Sequence, residues 1–480
     1  MASLRSLTDF EPVKSEIAAL FAARVAQGSA PGCFFSVFDE DGPVFEGGFG
    51  CRTIDAAAPD RQTRFRIASC TKSFTTAALL ILRDAGQLVL DEPITKFVPA
   101  LRGTLPAGAP VVPSLRMLMT MAGGLATDDP WADRQESISQ DAFRAILETG
   151  VRFTTLPGTR FEYSNLGYAL LGAVVERVSG QSFPAFVTEH LLRPLGLEAT
   201  TFDHAMVPEA QMATGYRPLD GGWLALSQSG PGAFSSIGGL MSTGADLTKW
   251  ASWLCEAFRA DLPERGPLSA ASRREMQTIH TPIAPEHGED LLFKGYGFGL
   301  IAQSDARHGL TVHHSGGYPG FSAHMRWNQG ARIGVVGLEN ATYSGAWMPV
   351  AAALDRLLGA CAMKPATVEP PPEIAALGRT VAALIARWDD DVAGSICLEN
   401  VAMDRSFAER AAELAALRAR VGPPQADRAE ILPADGPMFG RFEVRVPCRT
   451  GMIVGLVLLG PPEPARVQTL RFRVVATPPG

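Results

Sequence analysis

The chain has 480 residues, 46 % of them hydrophobic and 19 % charged, with a formal net charge of −7 and a pI near 5.7. That acidic balance argues against a nucleic-acid surface, and no apolar run approaches the roughly eighteen residues of a membrane span. At this length more than one core is expected, so two domains is the starting point.

Residues 11–26 carry an amphipathic helical pattern. Two apolar runs, 33–38 and 44–49, flank Asp39-Glu40-Asp41-Gly42 and read as a hairpin. Phe65-Arg66-Ile67-Ala68 reads as a short buried strand. From Ser69 an apolar pattern runs through Phe74, Ala77, Leu80 and Ile81 and stops at Gly86, a helix C-cap. Residues 88–250 alternate helical stretches with Gly/Pro-rich loops. Segments 296–303, 310–314, 321–327 and 333–339 read as four antiparallel strands, the last two joined by a turn at Asn328-Gln329-Gly330, and a helix over 348–358 follows. Strands at both ends of a helical insert imply an α+β fold: one antiparallel sheet flanked by helices, with the Ser69 helix packed on it.

Near Pro365 the composition shifts, and Glu369-Pro370-Pro371-Pro372-Glu373 reads as a stiff linker. Beyond it come helical patterns over 373–388 and 404–420, then strand-like runs over 438–446, 452–459 and 467–475. The expected division is a first domain over 1–364 and a small α+β domain over 365–480. The second shows no catalytic motif, and a structural or dimerising appendage is favoured over a lid or substrate-selecting wall.

Only six of the 43 lysines and arginines are lysines, and one is Lys72, three residues after Ser69. Arginine does not give up its proton in a protein, whereas a buried lysine does. At the start of a helix this spacing puts both side chains on one face, where the amine can activate the hydroxyl as a nucleophile. Alone, Ser-x-x-Lys fits a solvated helix face equally well. A second cluster is Tyr163-Ser164-Asn165. A tyrosine near a lysine relays protons as phenol or phenolate, since a cation lowers its pKa. Asn165 offers an amide to the lysine or to a substrate carbonyl; alternatively the segment is an ordinary loop before a helix. The third is His314-Ser315-Gly316-Gly317 at a strand end. Glycines there let a substrate approach the strand edge, so Ser315 and Gly316 are assigned to substrate binding, and the Gly317 N–H is expected to pair with that of Ser69 as an oxyanion hole; alternatively the segment is a strand end with a turn, its histidine satisfied by its neighbours. His313 and His314 point to opposite faces, so at most one faces the site.

In this order and at these distances the motifs resemble the serine β-lactamase and penicillin-binding-protein superfamily, in particular its class C-like branch. Leu90-Asp91-Glu92-Pro93-Ile94, Pro194-Leu195-Gly196-Leu197, Gly238-Gly239-Leu240-Met241-Ser242-Thr243 and Gly317-Tyr318-Pro319-Gly320-Phe321-Ser322 extend the resemblance over residues 12–360. It implies that Ser69 is the acylated nucleophile, Lys72 its base, Tyr163 a proton relay, and Asn165 an orienting amide. It puts His314 where true β-lactamases carry lysine. A neutral histidine anchors a carboxylate poorly, which points towards esterases, D-amino-acid peptidases and amidases. The segment 126–131 is expected to border the pocket, with Trp131 as an apolar wall and Asp128 or Asp129 binding a substrate amine; the alternative is a surface turn with Trp131 packed into its own loop.

The expected activity is therefore a serine hydrolase acting on an ester or amide of a small molecule or short peptide. Acyl transfer or peptide cyclisation, weak β-lactamase activity, and a non-catalytic binding role are the alternatives, in that order. No cofactor or metal is called for: the seven cysteines are irregularly spaced and form no Cys-x-x-Cys pair. Such cysteines, together with an N-terminus lacking a secretory apolar core, point to the cytoplasm. No membrane or nucleic-acid partner is expected, and the oligomeric state is open, a homodimer among the options.

Overall fold

The computed structural model describes residues 10–101, 103–104, 112–259, 266–284, 291–361, 370–434 and 439–475. It divides into two compact units, Met1–Met363 and Lys364–Gly480.

The first unit is organised by an eight-stranded antiparallel sheet. Its strands are β1 (Gly32–Asp39), β2 (Gly42–Gly50), β3 (Thr281–Pro282), β4 (Phe293–Tyr296), β5 (Ile301–Asp305), β6 (Gly309–Tyr318), β7 (Phe321–Asn328) and β8 (Ile333–Glu339). Their spatial order is β2-β1-β8-β7-β6-β5-β4-β3. The first hairpin is thus completed by the last strand, with Cys33 opposite Glu339 and Asp39 opposite Ile333. The segment read as one strand over 296–303 is two strands. Gly299, at φ +69°, turns the chain between them against the Lys72 carbonyl, where a Cβ would stand 2.5 Å from the oxygen.

Both faces of the sheet are covered, which is why β1 and β8 read as continuous apolar runs instead of alternating ones. On one face Phe35, Val37 and Val335 pack against α1 (Phe10–Ala26) and a helix near the end of the unit, Trp347–Ala360, with Phe21 stacked on Phe35 at 4.4 Å. On the other, Phe34, Phe38 and Leu338 meet the helical insert between β2 and β3. Three insert helices matter for the site: α2 (Thr71–Asp84), α3 (Asn165–Ser179) and α4 (Gly244–Cys255). With these named, the Trp347–Ala360 helix is α5. The core stacks Phe74 of α2 on Trp250 of α4, centroids 3.9 Å apart. Helix α3 is buried over Asn165–Gly172, a run with no polar face, and is capped by Ser164 at its start and by Gly180, at φ +73°, at its end.

The second unit has a four-stranded antiparallel sheet, β9 (Glu430–Pro433), β10 (Arg441–Cys448), β11 (Gly451–Leu459) and β12 (Val467–Val475), in sequence order. Phe442, Val444 and Val446 of β10 face Leu377, Val381, Ile385 and Leu414 of the helices Pro372–Ala386 and Phe407–Val421. Strand β9 and the short helices Asp390–Ile396 and Glu399–Asp404 were not read from the sequence; each is shorter than two full turns of helix or five strand residues, too brief for a periodic signal. Among the described residues no helix is long and apolar enough to cross a membrane.

Candidate active site

Arg64–Arg66 pairs with Met241–Thr243 in a small ladder of its own, and the chain then makes a tight turn over Ala68–Cys70 before α2 begins at Thr71. Ala68 holds φ +47°, a left-handed conformation that costs a non-glycine residue energy. That strained turn places Ser69 immediately before the first turn of the helix. Strand β6 closes on the turn at Gly316, where a Cβ would stand 2.2 Å from the Ile67 carbonyl oxygen.

Lys72 is fully buried and makes three hydrogen bonds from Nζ: to Ser69 Oγ at 2.8 Å, Asn165 Oδ1 at 2.6 Å and the Ile237 carbonyl at 2.8 Å. The amide oxygen and the carbonyl can only accept, whereas a serine hydroxyl can also donate. When Lys72 is neutral its two N–H bonds therefore stay on Asn165 and Ile237, and its lone pair faces Ser69. Burial draws the Lys72 ammonium down from 10.5 to about 8, against Asp133, Asp129 and Asp128, which favour the charge.

The two aspartates expected to bind a substrate amine are used inside the protein. Asp128 accepts from the backbone N–H of Asn165 at 2.7 Å and of Leu166 at 2.9 Å, one on each carboxylate oxygen, and so caps α3. Asp129 Oδ1 accepts from Asn165 Nδ2 at 2.5 Å, which turns the amide oxygen towards Lys72. Trp131 follows on this segment and packs edge-on against Phe234, centroids 5.6 Å apart, with 41 % of the residue exposed.

Tyr163 stands beside Ser69, and its ring lies 5.1 Å from Lys72 Nζ. The expectation of a cation-lowered phenol fails. Burial first, and then the Asp129 charge, raise Tyr163 well above its ordinary range, so it remains a phenol that can donate.

His314 faces the site, but both its nitrogens are taken. Nδ1 lies 2.7 Å from the Ser315 carbonyl, which can only accept, so it carries the proton; Nε2 then accepts from the Tyr296 hydroxyl at 2.9 Å. Burial, reinforced by Lys72, drives its pKa down to about 3. His314 therefore supports Tyr296 and is not available to hold a substrate anion. Ser315 also departs from its expected role. Ser315 hydrogen-bonds His324 Nδ1 at 2.8 Å, its strand partner, on the face opposite His314. Gly316 lies against Ile67 and Ala68 on the side where a side chain would stand. Gly317 comes next on β6, paired with Ser322.

Behind the nucleophile, Arg66 is fully buried and bonds both carboxylate oxygens of Glu136 at 2.6 Å. Glu136 also accepts from Ser229 at 3.0 Å and from Tyr318. This network ties the strand before Ser69 to the insert and to the end of β6, and it satisfies a buried charge pair that would otherwise be costly. Sequence reasoning missed Ile237, which acts through a backbone carbonyl, and Tyr296, whose position depends on the break at Gly299.

The family model described as Beta-lactamase matches residues 17–360. The chain belongs to the beta-lactamase family. Protein flp of Staphylococcus aureus (strain MW2) is 28 % identical over 322 residues, covering 65 % of this chain and 60 % of flp. The chain thus spans less than two thirds of that relative's length. Among solved structures, an octameric penicillin-binding protein homologue from Pyrococcus abyssi superposes with a TM-score of 0.59 at 23 % identity, covering 97 % of this chain and 95 % of the homologue. A D-stereospecific amidohydrolase from Streptomyces sp. gives 0.58 at 23 % identity over 71 % of this chain and 98 % of its own. These two structures share the fold.

Proposed function

We propose that the protein is a serine hydrolase that cleaves an ester or amide of a small molecule or short peptide through an acyl-enzyme on Ser69. The observation that carries the reading is the Lys72 amine, with two acceptor-only partners and one partner, Ser69, that can donate to it. Neutral Lys72 takes the Ser69 proton as Oγ attacks the carbonyl carbon. The oxygen of that carbonyl becomes an oxyanion, assigned here to the N–H groups of Ser69 and Gly317. The C–O or C–N bond then breaks, the leaving group takes the Tyr163 proton, and the Lys72 ammonium restores it. Water hydrolyses the acyl-enzyme, giving one proton to the base and its oxygen to the acyl carbon, and Ser69 recovers its hydrogen.

Ester and D-amino-acid amide cleavage are preferred to β-lactam hydrolysis, because His314 has no free donor for a substrate carboxylate. The amidohydrolase likeness supports the amide branch. A cytoplasmic setting is part of the same proposal, since seven free thiols suit a reducing compartment.

A fluorophosphonate probe tests the reading. Labelling at Ser69, lost in Ser69→Ala, is expected, with turnover in a panel of short p-nitrophenyl esters, D- and L-amino-acid amides and nitrocefin. Folded protein with neither label nor turnover would favour a binding role.

A further inference from the structure

The loop from β8 to α5 carries Tyr343, whose backbone sits at φ +47°. Its neighbours are fastened on both sides. Thr342 N–H donates to the Tyr216 carbonyl at 2.8 Å, and the Thr342 hydroxyl accepts from Gly320 N–H at 2.7 Å. Ser344 donates to Glu339 at 2.5 Å, and Glu339 is itself held by Arg24 at 2.8 and 3.1 Å. A strained residue persists only where its surroundings over-determine it, and these bonds do so.

The fixed backbone lays the Tyr343 ring on Gly317. A Cβ at that glycine would stand 2.4 Å from Cδ1 and 2.7 Å from Cε1 of the ring. The phenol then crosses to the insert, where it donates to Asp133 Oδ2 at 2.7 Å. Asp133 is 5 % exposed, whereas Tyr343 is 46 % exposed, so the tether is anchored in protein and the ring borders solvent. A ring stacked on the residue assigned to the oxyanion hole, and tied to the opposite side, restricts the space beside the reacting carbonyl.

We propose that the Tyr343–Asp133 bridge is the specificity-determining bar of this cleft, admitting substrates with a small group on the Gly317 side of the carbonyl and rejecting bulky ones. The proposal rests on the Ser69 acyl-enzyme reading. Steric discrimination by an apolar wall is typically worth about 10- to 200-fold.

The test uses two series of p-nitrophenyl and alkyl esters, one lengthening the acyl chain and one the alcohol. The readout is the ratio of kcat/KM for the bulky ester to that for the small one. Any change at Lys72 acts on both esters and cancels in this ratio. Tyr343→Ala should raise the ratio at least about tenfold in one series, with the gain in KM for the bulky ester. Tyr343→Phe keeps the ring and loses the tether, and should raise it partway; Asp133→Ala should match Tyr343→Phe. An unmoved ratio in both series, in Tyr343→Ala protein that folds and turns over the small ester, would make the ring a packing wedge and overturn the proposal. If Tyr343→Ala does not fold, unmoved ratios in Tyr343→Phe and Asp133→Ala overturn it equally. Wild-type protein that neither labels nor turns over any ester would instead defeat the acyl-enzyme reading.

Discussion

On the helical side of the cleft, hydrogen-bonding side chains hold the reactive groups: Asp128 caps α3, Asp129 turns the Asn165 amide, and that amide holds Lys72. On the sheet side, missing side chains do the corresponding job. Gly316 lets β6 close on Ile67 and Ala68, and Gly317 receives the Tyr343 ring. The two designs differ in tolerance. A side-chain hydrogen bond is worth about 0.5–1.5 kcal/mol net and survives an isosteric exchange that keeps the acceptor. A methyl group placed 2.2 Å from a backbone oxygen has no such substitute, and the strand itself must move.

The largest expected effect lies where the two sides meet. Ser69→Ala should lose about 10³-fold or more in ester turnover while keeping its circular dichroism spectrum. Retained turnover in the purified variant would remove Ser69 from the mechanism. Lys72→Arg should be about as damaging as Lys72→Ala, roughly 10²- to 10⁴-fold in kcat, because guanidinium stays protonated. An arginine variant of near wild-type rate would make Lys72 an electrostatic post.

The contrast between the sides is sharpened by a matched pair. Gly316→Ala should cost about 10²-fold in kcat/KM through displacement of the nucleophile turn. Asp129→Asn should cost less than about tenfold, because the new amide oxygen still accepts from Asn165. Equal losses in the two variants would break the distinction. The smallest effect is in pH dependence. The base must be neutral, so kcat/KM should rise with pH and level off above about 8. Asp133→Asn removes a negative charge that favours the ammonium, so the rise should move to lower pH, by less than about one unit. A flat profile between pH 6 and 9 would rule out Lys72 as the titrating base.

The parts of the site legible in the sequence are those where a rare side chain supplies the chemistry. A lysine in an arginine-rich chain stands out, and so does a tyrosine when only six are present. The roles of the aspartates stay open in the sequence, because a carboxylate that caps a helix and one that binds an amine look alike until the Asn165 and Leu166 amides are placed. Ile237 left no trace, since a carbonyl belongs to every residue. The hairpin, the antiparallel sheet and the nucleophile helix followed from apolar runs and punctuating glycines. The tyrosine keeps its place as a proton relay in the phenol form only: Lys72 lies near the ring, but burial and Asp129 hold the proton on.

The pairing of β1 with β8 has a consequence for biosynthesis. Cys33-Phe34-Phe35 finds its partners Glu339, Leu338 and Gly337 only after some three hundred further residues have been made. At ordinary elongation rates of about 5–20 residues per second, that interval is roughly 15–60 s. Throughout it the nascent hairpin offers an unpaired, phenylalanine-rich edge to any neighbouring chain. The demand on chaperones should therefore fall on the emerging N-terminal hairpin, and ribosome-bound chains stopped before Ile333 should be the aggregating species.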